Sequence, residues 1–544
     1  MKRSFKFVIA LAASLSLCQA PVFAQDNVIK PVDLPMSFSG TYGELRHNHF
    51  HGGLDWRVGG KVGDPIHVIK DGWVHHVTVS PSGYGNGMYV QHYDGTMTVY
   101  GHMLAFRPEI AARVKAEQYA RESFSVSLYF EENEYPVRQG DVLGKVGNTG
   151  ASAGPHLHME VRDSDNVPLD YLRMGYYEPV DNMSPVISRV AFYALDSLPV
   201  PDAVRILNVT NPSQYSGIVR LPERSYVAID AYDRQNGTSG KLAVSRYRIL
   251  LDDEPIFDYE VGDVGFDEGP YIKSLIQYGE SRIRGRDMIK SLVEPGNILE
   301  DRIEAADGGV VVLRDDEPHA LKIVTEDIFG NRSSVRFAVR RDDSLLVPVP
   351  RDSSDRTFPW LWYVPNTCAD GDMTYTLPAG ALYSSINFTY SKVGTIDTLQ
   401  GIYSDIWSIG DEDVPLSLSG LIQFHDFIPE ELLSKAYVAS GNGLSYAGPL
   451  DGAQVGFGTY CVAVDLEGPS ISVDKNGSIR VRDERSGTAS VRVEIDGKWH
   501  LSMFKRGRVT ILDTASIPKG AHDVTIVAAD YCGNITNKVI RKSF

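Results

Sequence analysis

Cysteine is scarce in this 544-residue chain, which contains only four. None of them forms a Cys-x-x-Cys motif, and this excludes both a thiolate zinc site and a dense disulfide framework. Cys18 lies in a leader-like segment at the start of the chain. Of the other three, Cys368 and Cys461 could form a disulfide in an oxidising compartment, which would leave Cys532 as a buried thiol.

Long hydrophobic runs are also missing. No stretch after the first 24 residues reaches the ~20 apolar residues that are needed to cross a bilayer. The first residues instead combine a basic start, an apolar run at 7–17 and a small-residue cleavage pattern that ends at Ala24. This pattern predicts a signal peptide over 1–24, no transmembrane segment and an exported protein of the periplasm, cell envelope or exterior. Lipidation at Cys18 is the alternative, disfavoured because Leu17 is bulky where a lipoprotein signal has a small residue.

Positive charge is in deficit, with 53 Lys and Arg against 70 Asp and Glu and a formal net charge of −17. A nucleic-acid partner is therefore not expected. The length is enough for three or four domains of ~100–200 residues.

Histidine is distributed unevenly: ten of the fourteen lie between His47 and His158. Because histidine is the commonest zinc ligand, this clustering points to a metal site near the amino terminus. Not every histidine there is expected to take part. Four lie in alternating or turn sequences typical of structural residues: His67, His75, His76 and His92.

Three short segments remain as candidates. In the first, His51 and Asp55 are four residues apart, and the glycines between them argue against a helix, so a sharp turn would bring them together. His49 is a rival ligand in the same segment. The second segment is Tyr100-Gly101-His102, which follows a strand-like run. The chain has no His-Glu-x-x-His motif, which excludes a thermolysin-like helix.

The third segment is His156-Leu-His158, which follows a glycine-punctuated loop. Side chains alternate along a strand, so both imidazoles are expected on one face and the apolar neighbours in the core.

Together these motifs resemble the lysostaphin-like (LytM-type) zinc metallopeptidases, which cut peptide bonds in bacterial peptidoglycan. The resemblance covers residues ~36 to 175, and its matching segments run from Gly43 to Asp55, Gly63 to Val74, Gly83 to His92, Tyr100 to His102, and Gly144 to Glu160.

The resemblance implies that His51, Asp55 and His158 bind zinc and that His156 and His102 are unliganded imidazoles in the cleft. Two nitrogens and one carboxylate leave a fourth position open for water, as a catalytic zinc site requires. His156 is the candidate general base, and His102 would stabilise an oxyanion or share the proton transfer. The sequence alone does not rank these two histidines.

The expected fold is mainly β, with an N-terminal antiparallel β-sheet metallopeptidase domain at 25–180 followed by β-sandwich accessory domains. An insertion at about 104–139 has helical spacing after Pro108 and strand-like alternation after Phe124, and it could wall or cover the cleft.

Beyond residue 175, short alternating strands predominate. Three sequence echoes predict two related β-sandwiches, at 184–345 and 468–544, which resemble immunoglobulin-like modules. The echoes pair Ser184-Pro185 with Gly468-Pro469, Asp233 with Asp483, and Asp327 with Asp530. A further β-rich domain is expected at 350–467. These domains could bind cell-wall or envelope proteins or act as spacers.

The expected function is that of a secreted zinc metalloendopeptidase acting on cross-links or stem peptides of peptidoglycan. One alternative is a non-catalytic LytM-type protein that binds the cell wall or regulates another enzyme. Loss of a ligand or of His156 would favour that alternative, and none is lost. A zinc peptidase with a protein target is a third possibility.

Overall fold

The structure is a computed structural model that describes residues 28–46, 49–195, 204–209, 215, 217–345, 356–425 and 428–544. Within these ranges the fold is mainly β, as the sequence predicts, with 41 strands and three α-helices. None of the helices in the described ranges is long and apolar enough to span a membrane. The predicted signal peptide and Cys18 lie outside the described residues.

The first region spans residues 28–177 and contains one hydrophobic core. Its elements are β1 (Phe38–Gly40), β2 (Leu54–Arg57), β3 (Pro65–His67), β4 (Gly72–Val79), β5 (Asn86–His92), β6 (Met97–Gly101), β7 (Ala105–Phe106), α1 (Pro108–Ala120), β8 (Val126–Tyr129), β9 (Pro136–Val137), β10 (Val142–Lys145), β11 (His156–Arg162) and β12 (Pro168–Leu169).

One large antiparallel sheet organises this region, with the strand order β1-β2-β11-β6-β5-β4-β8. A small sheet, β3-β10-β7, lies beside it. Strand β11 lies between β2 and β6, and its register places His158 opposite Asp55 on one side and Gly101 on the other. Alternation along β11 buries Leu157 and Met159 in the core. The sheet therefore brings the three predicted segments to one place.

The second region spans residues 186–341 and consists of two sheets packed around a shared core. Its elements are β13 (Val186–Ala194), β14 (Arg205–Asn208), β15 (Ile218–Leu221), β16 (Arg224–Tyr232), β17 (Arg246–Leu251), β18 (Glu254–Glu260), α2 (Ile272–Leu275), α3 (Tyr278–Arg284), β19 (Ile289–Lys290), β20 (Ile303–Ala305), β21 (Val311–Val312), β22 (His319–Glu326) and β23 (Arg332–Arg341). One sheet has the order β14-β13-β16-β19, and the other β15-β23-β22-β17-β18-β20.

The third region spans residues 356–464 and also has two sheets, ordered β24-β27-β28-β33-β30-β31 and β25-β26-β29-β32. Its strands are β24 (Arg356–Trp360), β25 (Asn366–Asp370), β26 (Met373–Leu377), β27 (Ile386–Gly394), β28 (Ile406–Ile409), β29 (Gly420–Phe424), β30 (Ala436–Ser440), β31 (Ser445–Pro449), β32 (Ala453–Val455) and β33 (Gly458–Val464).

The fourth region spans residues 470–543 and pairs two four-stranded sheets, β34-β35-β39-β38 and β37-β36-β40-β41. Its strands are β34 (Ser470–Val473), β35 (Ile479–Arg482), β36 (Thr488–Ile495), β37 (Lys498–Trp499), β38 (Ser502–Lys505), β39 (Arg508–Ile511), β40 (Ala521–Asp530) and β41 (Ile535–Ser543).

The possible disulfide between Cys368 and Cys461 is not formed. Both residues and Cys532 are free, buried thiols. Cys368 packs in the main core of the third region, whereas Cys461 belongs to a separate apolar cluster that it shares with Cys532. Burial raises the pKa of each thiol to about 11, so all three are inert.

Candidate active site

Three donor atoms from His51, Asp55 and His158 converge at the centre of the large sheet. Nε2 of His51 lies 3.0 Å from Oδ1 of Asp55 and 3.0 Å from Nδ1 of His158. Nδ1 of His158 lies 2.9 Å from the same carboxylate oxygen. This triangle is close to one face of a coordination tetrahedron, whose edge is roughly 3.3 Å for zinc bonds of about 2.0 Å.

The turn before β2 permits this approach because it carries Gly52 and Gly53. A Cβ atom on Gly53 would lie 2.3 Å from the carbonyl oxygen of Met159 on β11. A larger residue would therefore push His51 and Asp55 away from His158.

Hydrogen bonds on the outer side of each imidazole orient the donors. Nδ1 of His51 donates to the carbonyl of Thr41 at 2.8 Å, and Nε2 of His158 donates to Oε1 of Glu160 at 2.7 Å. Each ring consequently presents its other nitrogen to the triangle, where a metal ion would take the place of a proton. Carboxylate and carbonyl partners of this kind fix the tautomer of metal-binding histidines.

Glu160 is anchored from its other side. Its carboxylate accepts hydrogen bonds from the Tyr84 hydroxyl at 2.5 Å and from Nε of Arg162 at 2.7 Å. Burial alone would raise the pKa of Glu160, but the hydrogen bond from His158, together with the charges of His158 and Arg162, lowers it to about 2. Glu160 therefore orients His158 rather than serving as an acid.

The electrostatics of the triangle favour a bound cation. Burial lowers the pKa of His158, yet the carboxylates of Asp55 and Glu160 outweigh it and raise that pKa to about 9. The pKa of Asp55 is held well below its usual range by the histidines around it, although burial acts in the opposite direction. The two nitrogens and one carboxylate oxygen thus fit zinc in number, type and charge.

His156 and His102 face the same cleft beside the triangle. Nδ1 of His156 donates to the carbonyl of Gly154 at 2.8 Å, and its Nε2 lies 3.4 Å from Oδ1 of Asp55. Nδ1 of His102 donates to the carbonyl of Thr149 at 2.9 Å. The two ring centroids are 4.7 Å apart. Both rings are therefore held through Nδ1, and Nε2 of His156 also lies close to the Asp55 carboxylate.

His102 has two features typical of functional residues. Its backbone is left-handed, with φ of 59°, a conformation that costs a non-glycine residue about 1–3 kcal/mol. Burial and the neighbouring imidazoles lower its pKa to about 4, so the ring is neutral at pH 7.

Four other histidines of the region contribute no atom to the triangle. His76 and His92 are buried and hydrogen-bonded elsewhere, and His67 bonds to the Gly140 carbonyl and to Asp33. His49 lines the cleft but contributes no atom to the donor cluster.

The triangle opens into a cleft of about 1010 Å³. The prediction that the 104–139 insertion walls or covers this cleft is wrong, because none of the described lining residues comes from it. Instead, β8 extends the far edge of the sheet and α1 packs Ile110 and Val114 into the core.

Sequence reasoning missed three residues around the site. Arg46 donates to Oδ2 of Asp55 at 2.9 Å. Arg162 holds Glu160 and lies 4.6 Å from the ring of Phe266, which belongs to the second region and lines the cleft. Strand parity with Glu160 could have indicated Arg162, but no sequence signal links Phe266 to a site a hundred residues earlier.

The second region also supports the His51 segment. Phe50 and Tyr42 are buried in the core of the second region rather than in that of the first. The backbone N–H of Ala243 donates to Oγ1 of Thr41, whose carbonyl orients His51. The segment that positions His51 is therefore shared between two cores.

An antiparallel sheet with two imidazoles and a carboxylate at the base of a cleft is suited to a hydrolytic metal site. Residues 49–131 and 125–171 match the profile of peptidase family M23. Residues 359–465 match the Zu5-like domain profile.

Curated relatives match about a fifth of this chain. A protein described as DD-carboxypeptidase/endopeptidase Mpg from Neisseria meningitidis serogroup B is 33% identical over 112 residues, which is 21% of this chain and 20% of the relative. The Neisseria gonorrhoeae protein of the same description is 32% identical over 112 residues. This chain thus spans about a fifth of the length of these relatives.

Solved structures are similar to about a quarter of the chain. The catalytic domain of the M23 protein EnpA from Enterococcus faecalis is 26% identical, with 24% of this chain and 82% of that one covered and a TM-score of 0.18. The catalytic domain of lysostaphin from Staphylococcus simulans is 22% identical, with 25% and 86% covered and a TM-score of 0.18.

Proposed function

We propose that this protein is an exported zinc metalloendopeptidase that hydrolyses peptide bonds in bacterial peptidoglycan. The observation that carries the proposal is the triangle of His51, Asp55 and His158 within the M23 match. The names of the Neisseria relatives, DD-carboxypeptidase/endopeptidase, favour a peptide of the cell wall as substrate.

The proposed ligands are the three residues of the triangle. Zinc, when bound, supplies a Lewis acid that activates water for attack on an amide. His156 is the proposed general base, because Gly154 holds its Nδ1 and its Nε2 lies beside the triangle, where it can take a proton from water and return it to the leaving amine. His102, neutral and held by Thr149, is the proposed donor to the oxyanion or partner in proton transfer.

The proposal also covers the substrate, the location and the role of the regions after the first one. We assign peptidoglycan peptides as the substrate and the periplasm or envelope as the location. The β-rich regions after residue 180 are the proposed attachment to cell-wall or envelope proteins.

The test is digestion of purified peptidoglycan by the chain without residues 1–24, followed by mass spectrometry of the released muropeptides. New amine ends should appear, disappear with a zinc chelator and return with added zinc, and they should be lost in His156→Ala with zinc still bound. Zinc-loaded protein that leaves both peptidoglycan and denatured protein substrates intact would support a non-catalytic wall-binding role. Cleavage of the protein substrate alone would retain the peptidase but overturn the substrate.

A further inference from the structure

A second cluster of acidic side chains lies where the first two regions meet. Asp181 belongs to the connection before β13, whereas Asp233 and Asp327 directly follow β16 and β22. One carboxylate oxygen from each residue lies within 4.8 Å of the other two. Asp233 and Asp327 are 4% and 3% exposed, so two of these carboxylates are almost completely removed from water.

Asp233 is the residue whose environment is incomplete. Its Oδ1 atom is buried and has no hydrogen-bond partner within the described ranges. Asp327, in contrast, accepts hydrogen bonds from the backbone N–H of Phe329 and from both nitrogens of Asn331. A buried carboxylate oxygen without a partner is costly, because burying a charge requires pairing or coordination.

The charges around Asp233 increase this cost. Burial raises its pKa to about 7, and the carboxylates of Asp327 and Asp181 act in the same direction. The neighbouring basic side chain does not compensate, because Arg234 lies against the ring of Tyr232 at 5.2 Å. A proton on Asp233 or a bound cation can relieve the repulsion among these three carboxylates, whereas Arg234 does not.

We propose that Asp181, Asp233 and Asp327 bind one calcium ion at the junction of the first two regions. The cluster offers oxygen donors only, which suits Ca²⁺ and not zinc. Ca²⁺ takes 6–8 oxygens at about 2.3–2.6 Å, so oxygens within 4.8 Å of one another can share one ion. An adjoining cavity of about 30 Å³, lined by Asp181 and Asp233, has room for about one water molecule as a further ligand.

Occupancy of this site would act on the strand next to the zinc triangle. Gln235, two residues after Asp233, donates to the carbonyl of Met36 and accepts from the N–H of Phe38 at the start of β1. Strand β1 pairs with β2, and the register places Gly40 opposite Asp55. A cation that fixes the 233–237 loop therefore also stabilises β1, the edge strand that pairs with the Asp55 strand β2.

The fourth region contains a similar cluster that serves as an internal control. Asp465, Asp483 and Asp530 occupy the corresponding sequence positions, and Asn534 bonds to Asp530 as Asn331 does to Asp327. There, however, both the N–H and the hydroxyl of Ser486 donate to Asp465. Every carboxylate of this second cluster accepts a hydrogen bond, and we assign no ion to it.

The experiment is calorimetric titration of CaCl₂ into the zinc-loaded, calcium-free chain. We expect one saturable site, weakened at least about tenfold by Asp233→Asn or Asp327→Asn because each removes a charged ligand. Asp483→Asn in the second cluster and Asp253→Asn on an exposed turn are the matched controls and should bind as the native chain does. Absence of saturable binding, binding unchanged in Asp233→Asn, or binding lost in Asp483→Asn would overturn the proposal.

A measurement on the native chain avoids dependence on the folding of these variants. Hydrogen exchange followed by mass spectrometry should show slower exchange of the peptide containing residues 36–40 when Ca²⁺ is added. Unchanged exchange there, in protein that binds Ca²⁺ elsewhere, would contradict the assigned position. Both results are independent of peptidase activity, so they stand or fall separately from the proposed function.

Discussion

At the scale of single residues, the site depends on atoms that do not touch the proposed metal. Glu160 fixes the tautomer of His158, and Thr41 does the same for His51. The carbonyls of Gly154 and Thr149 hold the imidazoles of His156 and His102. Every imidazole of the site is thus tied through one nitrogen to a carboxylate or a carbonyl. The free nitrogens face one another because the outward ones are already engaged.

Glu160→Gln tests this orienting role. The substitution preserves shape but removes the charge that stabilises the His158 ring, so we expect zinc affinity to fall about 10–100-fold. Competition with a fluorescent zinc chelator measures it. His49→Ala is the control and should retain zinc, because His49 supplies no donor atom to the triangle. Zinc loss in His49→Ala with normal binding in Glu160→Gln would show that the ligand set is wrong.

Asp233 predicts a pH dependence of stability in calcium-free protein. Its pKa is about 7 in the folded chain and about 3.9 when unfolded, so between these values the folded state binds more protons. The free energy of unfolding should therefore decrease as pH rises from about 4 to about 7. Chemical denaturation should show that the stability of Asp233→Asn, relative to the native chain, increases over this pH interval. Added Ca²⁺ should abolish this relative increase at pH 7. A difference in the free energy of unfolding that does not change with pH would contradict the prediction.

At the scale of secondary-structure elements, the convergence of His51, Asp55 and His158 was easier to predict from the sequence than the packing around them. Strand β11 was predictable because alternation alone places His156 and His158 on one face. The position of the insertion was not predictable, because helical spacing in α1 does not reveal where on the sheet this helix packs. Phe266 and the exclusion of Cys368 from any disulfide depend on packing between segments distant in sequence. Local patterns carry no information about such contacts.

The loop after β1 connects the second region to the triangle of His51, Asp55 and His158, and this connection can be tested at Thr41. Thr41→Val keeps the carbonyl that orients His51 but leaves the N–H of Ala243 without its acceptor. We expect a loss of about 1–3 kcal/mol in the free energy of unfolding and weaker zinc binding. Thr376→Val, in a cross-strand threonine pair of the third region, is the matched control for both measurements. Lower stability with unchanged zinc affinity would show that the two regions pack together without affecting His51.

At the scale of the whole molecule, the fourth region contacts the first. Asp513 bonds to Lys115 and Tyr119 of α1, and Arg492 pairs with Glu122 just after that helix. The insertion, which contributes nothing to the described cleft lining, is thus a docking surface for the end of the chain. Exposed ion pairs of this kind add little to stability individually, so we expect them mainly to orient the fourth region against α1.

The contact with the greatest functional consequence is that of Lys505, whose Nζ donates to the carbonyl of Gly150 at 2.5 Å. Gly150 belongs to the loop whose carbonyls at Thr149 and Gly154 hold His102 and His156. Lys505→Ala should therefore loosen this loop, with faster hydrogen exchange at residues 149–154 and a lower kcat on peptidoglycan. Zinc affinity should be unchanged, because the proposed ligands lie on β2, on β11 and in the turn before β2.

Lys519→Ala is the matched control for this prediction, since Lys519 is an exposed lysine of the same region. If Lys505→Ala changes only KM, the fourth region contributes to substrate binding rather than to the geometry of the imidazoles. If neither exchange nor kinetics changes, the contact is a spacer between regions. A decrease in kcat at constant zinc occupancy would show that the distant carboxyl-terminal region helps to set the proton-transfer geometry, because the substitution removes only a hydrogen bond to the loop that holds His102 and His156.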